Sequence, residues 1–282
     1  MPIDFHTHTF PKKIAERALK KLSESSMIPY HTNGTGAGLL NSMEEAGIDI
    51  SVVLPVATAA RQTESINESV FKINEEFYAH GGTGILSFGA IHPDNDNYKE
   101  ILLSLKENNV KGIKLHPVFT GVDINDIRTK RIIYAASELG LIVVTHAGFD
   151  ISYHENYESD ILKIHDMLKD VKPPKMILAH MGAWAEWNRV PENIAGFGVY
   201  VDTAFSFVNV LNNTMWKEEE KKISVDAANK IKETVGINHI LFGSDSPWAG
   251  QKETLSELKN YFSEEEYVRV TDTNARELLG IK

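Results

Sequence analysis

The chain has 282 residues, of which 42% are apolar and 24% charged, and 29 basic against 39 acidic side chains leave a net charge of −10. This composition excludes disorder as the dominant state, and the negative charge disfavours nucleic acid and anionic lipid as partners. The absence of cysteine excludes a disulfide framework, a thiolate metal site and a cysteine nucleophile. Neither a bilayer-length apolar stretch nor a basic, apolar leader is present, so we expect a cytoplasmic protein without a membrane segment.

Short apolar runs alternate with helix-like segments along the chain. Eight runs predict β-strands, and most are apolar almost throughout, as expected for parallel strands covered on both faces. In chain order they are residues 3–5, 50–54, 84–91, 110–115, 141–145, 176–179, 197–201 and 237–242. Clear helices are predicted between them at residues 64–80, 97–108, 124–139, 159–168, 218–235 and 253–262.

This alternation predicts an α/β protein that forms one (β/α)8 TIM barrel over residues 1–282. A doubly wound open sheet is the alternative, but it commonly has fewer strands. The segment 23–38 is rich in Ser, Gly and Thr and is predicted to be a loop excursion near the barrel mouth.

The distribution of histidines carries the first functional signal. Seven of the eleven lie at or beside the ends of predicted strands. In (β/α)8 barrels the catalytic groups gather at the carboxyl ends of the strands. His6 and His8 follow the first strand. Two positions apart in an extended chain, they share one face and can both reach one metal ion, although an ordinary pair of strand histidines is the alternative.

Three later predicted strands also end in residues of types that bind metal ions. His146 and His180 close two successive strands and so become neighbours on the barrel rim. Asp245 closes the last strand, which lies beside the first in a closed barrel, so it should face His6 and His8. The alternatives are hydrogen-bonded core histidines and, for Asp245, a turn or a helix cap. The pattern predicts a ligand set of His6, His8, His146 and Asp245, with His180 close by.

The donor types restrict the metal. Nitrogen and carboxylate ligands without thiolate suit one Zn²⁺, and also Mn²⁺, Fe²⁺, Co²⁺ or Ni²⁺. Asp202, at the end of the seventh predicted strand, is a candidate for supporting these ligands.

The sequence resembles the amidohydrolase superfamily, and within it the branch related to aminocarboxymuconate semialdehyde decarboxylase. The resemblance spans nearly the whole chain and rests on the histidines and aspartate above, in the segments MPIDFHTH (1–8), GIKLHP (112–117), HMG (180–182) and FGSD (242–245). It implies a homodimer and a small-molecule substrate. It also implies a metal-dependent hydrolase of an amide, ester or lactone, or a nonoxidative decarboxylase of an unsaturated or aromatic acid. A barrel that binds a ligand without turnover is a third hypothesis.

The resemblance implies a role for each matching position. His6 and His8 match the first-strand metal ligands, and His146 matches the fifth-strand ligand. Asp245 matches the aspartate that binds the metal or accepts a proton from its water. His180 matches the catalytic sixth-strand histidine, which orients or deprotonates water in mononuclear members.

Further positions have weaker signals. Lys114 matches the lysine that bridges two metals as a carbamate in binuclear members; a buried lysine with a carboxylate partner or an anionic substrate is the alternative. His116 and His92 are predicted to bind substrate or to shape their turns. Arg61 is predicted to pair with a substrate carboxylate or to lie on the surface, and Trp248 to wall the pocket, pack a loop or contact a second subunit.

Overall fold

The computed structural model of the protein describes residues 1–152, 157–209 and 216–281. Within these ranges the β-strands are β1 (Ile3–Thr7), β2 (Ile50–Val53), β3 (Gly84–Ser87), β4 (Gly89–Ala90), β5 (Gly112–Leu115), β6 (Ile142–Thr145), β7 (Met176–Leu178), β8 (Tyr200–Asp202) and β9 (Ile240–Leu241). The α-helices of the same ranges are α1 (Ala15–Ser26), α2 (Gly36–Ala46), α3 (Thr63–Ala79), α4 (Tyr98–Glu107), α5 (Pro117–Thr120), α6 (Ile127–Glu138), α7 (Ile161–Val171), α8 (Val190–Ile194), α9 (Glu218–Lys221), α10 (Val225–Val235), α11 (Gln251–Leu258), α12 (Glu264–Val268) and α13 (Asn274–Leu279).

The strands form the predicted (β/α)8 barrel. Their pairing is parallel in the order β1-β2-β3 and then β4 to β9 in sequence. β3 and β4 are two parts of one barrel strand, interrupted at Phe88, whose N–H still donates to Val53 O over 2.9 Å. The last strand returns to the first, because Phe5 N–H donates to Phe242 O over 2.7 Å.

The barrel interior changes from apolar to polar along its axis. Because alternate strand residues face inward, the strands fill the lower interior with large aliphatic and aromatic side chains. These buried residues are Ile3, Phe5, Ile50, Val52, Leu86, Phe88, Ile142, Val144, Ile177 and Leu241. Above them, at the carboxyl ends of the strands, lie buried His6, Lys114 and His180. We call this carboxyl end of the barrel the mouth. No described helix combines the length and apolarity of a membrane span.

Several predicted boundaries differ from the structure. Residues 237–239 form a 3₁₀ turn, so the last strand begins only at Ile240. The predicted helix 218–235 is two helices, because Ser224 is extended and its side chain caps α10 by accepting from Ala227 N. Within the segment 23–38, residues 27–35 connect α1 to α2, whereas the two ends of the segment are helical.

Close packing inside the barrel requires glycine at position 112. A Cβ added at Gly112 would lie within 2.5 Å of the Phe88 ring and within 2.4 Å of Ile142 O. At Gly36, the first residue of α2, an added Cβ would meet only Ile85 Cδ1, at an ordinary 3.6 Å.

We therefore expect Gly112→Ala to destabilise the protein by roughly 1–3 kcal/mol through overpacking. Gly36→Ala is the matched control and should leave stability unchanged or slightly raised. The midpoint of urea unfolding measures both. Equal midpoints for the two variants would contradict the packing of Phe88 over Gly112.

Candidate metal centre

The mouth brings three of the four predicted metal ligands into direct proximity. His6, His8 and Asp245 each offer a ligand atom, and these atoms lie within 4.8 Å of one another. His8 Nε2 is 3.1 Å from Asp245 Oδ1, and His6 Nε2 is 3.7 Å from the same oxygen. His6 is 1% exposed, so the cluster reaches from the cavity surface into the barrel interior.

Hydrogen bonds on the far side of each ring determine which nitrogen carries the proton. His6 Nδ1–H donates to the Asp202 carboxylate over 2.8 Å, and His8 Nδ1–H donates to Leu54 O over 2.9 Å. Because a carbonyl or carboxylate oxygen can only accept, both rings carry their proton on Nδ1. Both Nε2 lone pairs therefore point toward Asp245, in the manner of metal-binding histidines with an oxygen partner behind them.

The charges at this cluster also fit a cation. Burial and the nearby Lys114 ammonium lower the pKa of His6 well below its usual value, which favours the neutral ring that a metal requires. Burial acts to raise the pKa of Asp245, whereas positive charge on the adjacent His6 and His8 rings would hold that pKa below its usual range. With both rings neutral, the carboxylate faces two nitrogen lone pairs, and a cation between them supplies the positive charge that this arrangement needs.

His146 and His180 repeat this arrangement beside the first cluster. His180 Nδ1–H donates to Ala204 O over 3.0 Å, and His146 Nε2–H donates to Phe149 O over 3.1 Å. The two remaining nitrogens, His180 Nε2 and His146 Nδ1, then face each other as lone pairs at 3.0 Å. Burial lowers the pKa of both rings, which disfavours a shared proton.

The rim also contains backbone strain at two of these positions. His180 and Asp245 have φ values of 60° and 68°, in the left-handed region that residues with a Cβ rarely adopt. Strain of this kind costs on the order of 1–3 kcal/mol and concentrates at functional sites. Here it accompanies the two turns that leave the strands at the mouth.

A second group of metal-ligand types lies nearby but is poorly arranged for an ion. It contains His116, His146 and Asp150. The His116 and His146 rings are stacked, with centroids 4.3 Å apart and planes 11° apart. A metal binds in the plane of an imidazole at ~2.0–2.1 Å, so two parallel stacked rings cannot both direct a lone pair at one ion.

Lys114 lies under the first cluster. It is 1% exposed, and its Nζ is 3.3 Å from His6 Nε2. Burial lowers the pKa of Lys114 to about 8, against the opposing effect of Asp202 and Asp245. The carbamate bridge at this lysine stays a prediction.

The four predicted substrate contacts divide into two pairs. His116 and Trp248 line the cavity at the mouth. Arg61 is exposed on a short 3₁₀ helix, and His92 is buried in its turn, where Nδ1 accepts from Asp94 N over 3.1 Å; neither belongs to the cavity lining.

Two buried aspartates support the mouth. Asp202 accepts from His180 N and Ala204 N with one oxygen, while the other accepts from His6. Its position at a strand end is visible in the sequence. Asp150 lies 3.5 Å from His116, and burial raises its pKa to about 6. It follows no strand directly and carries no signal in the sequence.

Comparison with known proteins assigns the family. A family model described as amidohydrolase matches residues 3–281, and the chain therefore belongs to the amidohydrolase family of metal-dependent enzymes. No curated protein matches the chain.

Solved structures share the fold over nearly the whole chain. The 5-carboxyvanillate decarboxylase of Sphingomonas paucimobilis has a TM-score of 0.67 at 13% identity, covering 100% of this chain and 99% of its own. The 2,6-dihydroxybenzoate decarboxylase from Rhizobium has a TM-score of 0.67 at 13% identity, covering 99% and 98%. A Pseudomonas putida protein assigned as a 2-pyrone-4,6-dicarboxylic acid hydrolase has a TM-score of 0.67 at 14% identity, covering 99% and 97%. The fold thus occurs both in decarboxylases and in a protein assigned as a hydrolase.

Asp202→Asn tests the support given to His6. Asparagine has one acceptor oxygen, which the two backbone N–H groups require, so its NH₂ would face His6 Nδ1 and favour the tautomer protonated on Nε2. We expect metal affinity to fall by roughly 10–100-fold with the fold retained in circular dichroism. Chelator competition measures the affinity. Asp150→Asn is the matched buried control, and equal affinities for the two variants would refute the role of Asp202.

Proposed function

We propose that the protein is a metal-dependent hydrolase acting on a small amide, ester or lactone, within the single barrel domain of residues 1–282. His6, His8, His146 and Asp245 would hold one divalent ion, and their nitrogen and oxygen donors suit Zn²⁺. The observation that carries this proposal is the 3.1 Å approach of His8 Nε2 to Asp245 Oδ1, because the His8 proton lies on Nδ1, bonded to Leu54 O, and both facing atoms are electron-pair donors.

The residues around this position have complementary proton chemistry. When bound, a divalent ion polarises a substrate carbonyl and lowers the pKa of water toward neutrality. Asp245 is ionised at neutral pH, so it can accept a proton from water and pass it to the leaving group. His180 presents Nε2 as an acceptor, because its Nδ1–H is bonded to Ala204 O. That tautomer supports orientation of the attacking water and does not support donation to an oxyanion.

A nonoxidative decarboxylase is the second candidate, and Lys114 is the observation that favours it. Such a reaction needs a cation beside the substrate carboxylate. Lys114 lines the cavity next to the proposed ligands, whereas Arg61 is exposed outside the lining and Arg189 is paired with Glu186 over 2.6 Å. A buried ammonium at the inner end of the cavity can hold an anionic substrate group.

Metal content is the direct test of the proposed ligands. We expect about one equivalent of Zn²⁺ per purified chain by elemental mass spectrometry, and loss of most of it in His8→Ala. His165→Ala is the control, because His165 is bonded to Asn193 O on α8, away from the mouth. About two equivalents would support the carbamate bridge at Lys114. No metal after reconstitution, or equal metal in both variants, would refute the proposed ligand set.

Substrate panels separate the two candidate reactions. We expect metal-loaded protein to hydrolyse members of an ester, amide and lactone panel without releasing CO₂ from unsaturated and aromatic acids. Lys114→Gln should retain most hydrolysis of uncharged esters, because the ammonium has no anion to bind there. The decarboxylase would be the better assignment if the protein releases CO₂ and hydrolyses no ester or amide, and if Lys114→Gln abolishes the CO₂ release.

A further inference from the structure

The cavity at the mouth extends far beyond the metal centre. Its volume is about 1810 Å³, whereas pockets for small organic ligands usually measure roughly 300–1,000 Å³. One end is lined by His8 and Asp245 at the carboxyl ends of the strands. The other end reaches Gly84, the first residue of β3, so the cavity follows the outside of the barrel wall from one edge to the other.

Helix α3 forms one wall of this extension. Ile66, Ser69 and Ile73 line it at intervals of three and four residues, the spacing of one helix face. The 17 residues of α3 extend over roughly 26 Å. The wall is therefore a long strip that begins near the mouth, in which half-buried Ile66 and Ile73 alternate with exposed Ser65 and Ser69.

Helices α1 and α2 form the opposite wall. α2 presents Gly36, Ala37 and Leu40, and Leu40 remains 47% exposed. Ile14, the residue before α1, and Leu22 of α1 also line the cavity, and Ile14 is 39% exposed. We call the space between these two walls the fissure. Polar residues such as Lys21 and Ser25 also line it, but Leu40 and the other aliphatic residues leave apolar surface in contact with water, which is unfavourable unless a ligand covers it.

The continuity of the fissure with the metal centre indicates its occupant. Leu54 and Val56, just after β2, line the same cavity as His8 and α3, and Leu54 is the residue whose carbonyl orients His8. A molecule whose reacting group lies beside His8 therefore has direct access to the fissure for its remaining part. The walls are helices on both sides, so the space suits a slender chain.

We propose that the substrate is amphipathic, with an acyl group at the metal centre and a long unbranched aliphatic chain in the fissure. This inference rests on the proposed function for the position of the reacting group. It deepens that function by assigning a substrate class, a long-chain acyl ester or amide, whose carboxylic acid product would bind the same site. The aliphatic chain would cover Leu40 on one wall and Ile73 on the other.

Calorimetric titration with butyrate, hexanoate, octanoate and decanoate, each below its micelle concentration, tests this site. We expect affinity to rise about fourfold for each methylene group placed in the fissure. Leu40→Trp should abolish the dependence on chain length by filling the fissure. Leu103→Trp on α4 is the matched control, because Leu103 is also 47% exposed and lies outside the cavity lining. Ile73→Trp repeats the test from the opposite wall.

Affinity independent of chain length, or a dependence that both Leu40→Trp and Ile73→Trp retain, would overturn the proposal. So would a dimer in sedimentation that Leu40→Trp dissociates, because a second copy would then occupy the fissure. The increment per methylene is measured without turnover. The absence of metal or of activity would therefore refute the proposed function. The titrations with carboxylates of increasing length would still support or overturn the fissure as the binding site of an aliphatic chain.

Discussion

The pairing of the first barrel strand with the last is the constraint on which the candidate site depends. His8 N–H donates to Ser246 O, and Asp245 N–H donates to His6 O, over 2.7 and 2.9 Å. These backbone bonds hold the two histidines and the aspartate side by side although more than 230 residues separate them along the chain. The lower barrel interior, packed with aliphatic side chains, keeps the two strands in register. The ligands thus take their geometry from the closure of the barrel, and their side chains need little independent rigidity.

Proton placement is a second level of organisation built on that closure. Oxygen atoms behind His6, His8 and His180 each accept the Nδ1 proton, so the three rings present Nε2 toward the mouth. One of those oxygens belongs to Asp202, which also binds the backbone of the turn after β7. A single buried carboxylate therefore couples the ring orientation of His6 to the backbone conformation of His180, just after β7. Burial disfavours protonation of the rings, so the mouth concentrates neutral nitrogen donors around an ionised carboxylate.

The larger cavity explains how one barrel can offer both a polar reaction centre and an apolar binding surface. The carboxyl ends of the strands supply the polar groups, because their side chains project into a space that no further strand residue fills. The outer surface of β2 and β3 lines the apolar part, between Gly36, Ala37 and Leu40 of α2 on one side and Ile66 and Ile73 of α3 on the other.

Much of the architecture was accessible from sequence because it depends on local patterns. Apolar runs of strand length, alternating with amphipathic segments, predict parallel strands under helices, and parallel strands align their carboxyl ends by necessity. That alignment is sufficient to predict that His6, His8 and Asp245 meet. The boundaries of individual helices were harder to predict from the sequence, as at Ser224, where a side-chain cap divides one predicted helix into two.

The sequence by itself determined the fold class, the kinds of donor and the edge of the barrel on which they gather. Only the tertiary structure decided which nitrogen of each ring is free, because that depends on oxygen atoms such as those of Leu54 and Asp202, far away in the chain. It also decided that His116 stacks on His146, and that Arg61 lies outside the cavity. These features depend on the paths of the loops and on the distances between packed helices. Residue spacing in the sequence does not predict such paths and distances, because they arise from contacts between segments that are remote in sequence.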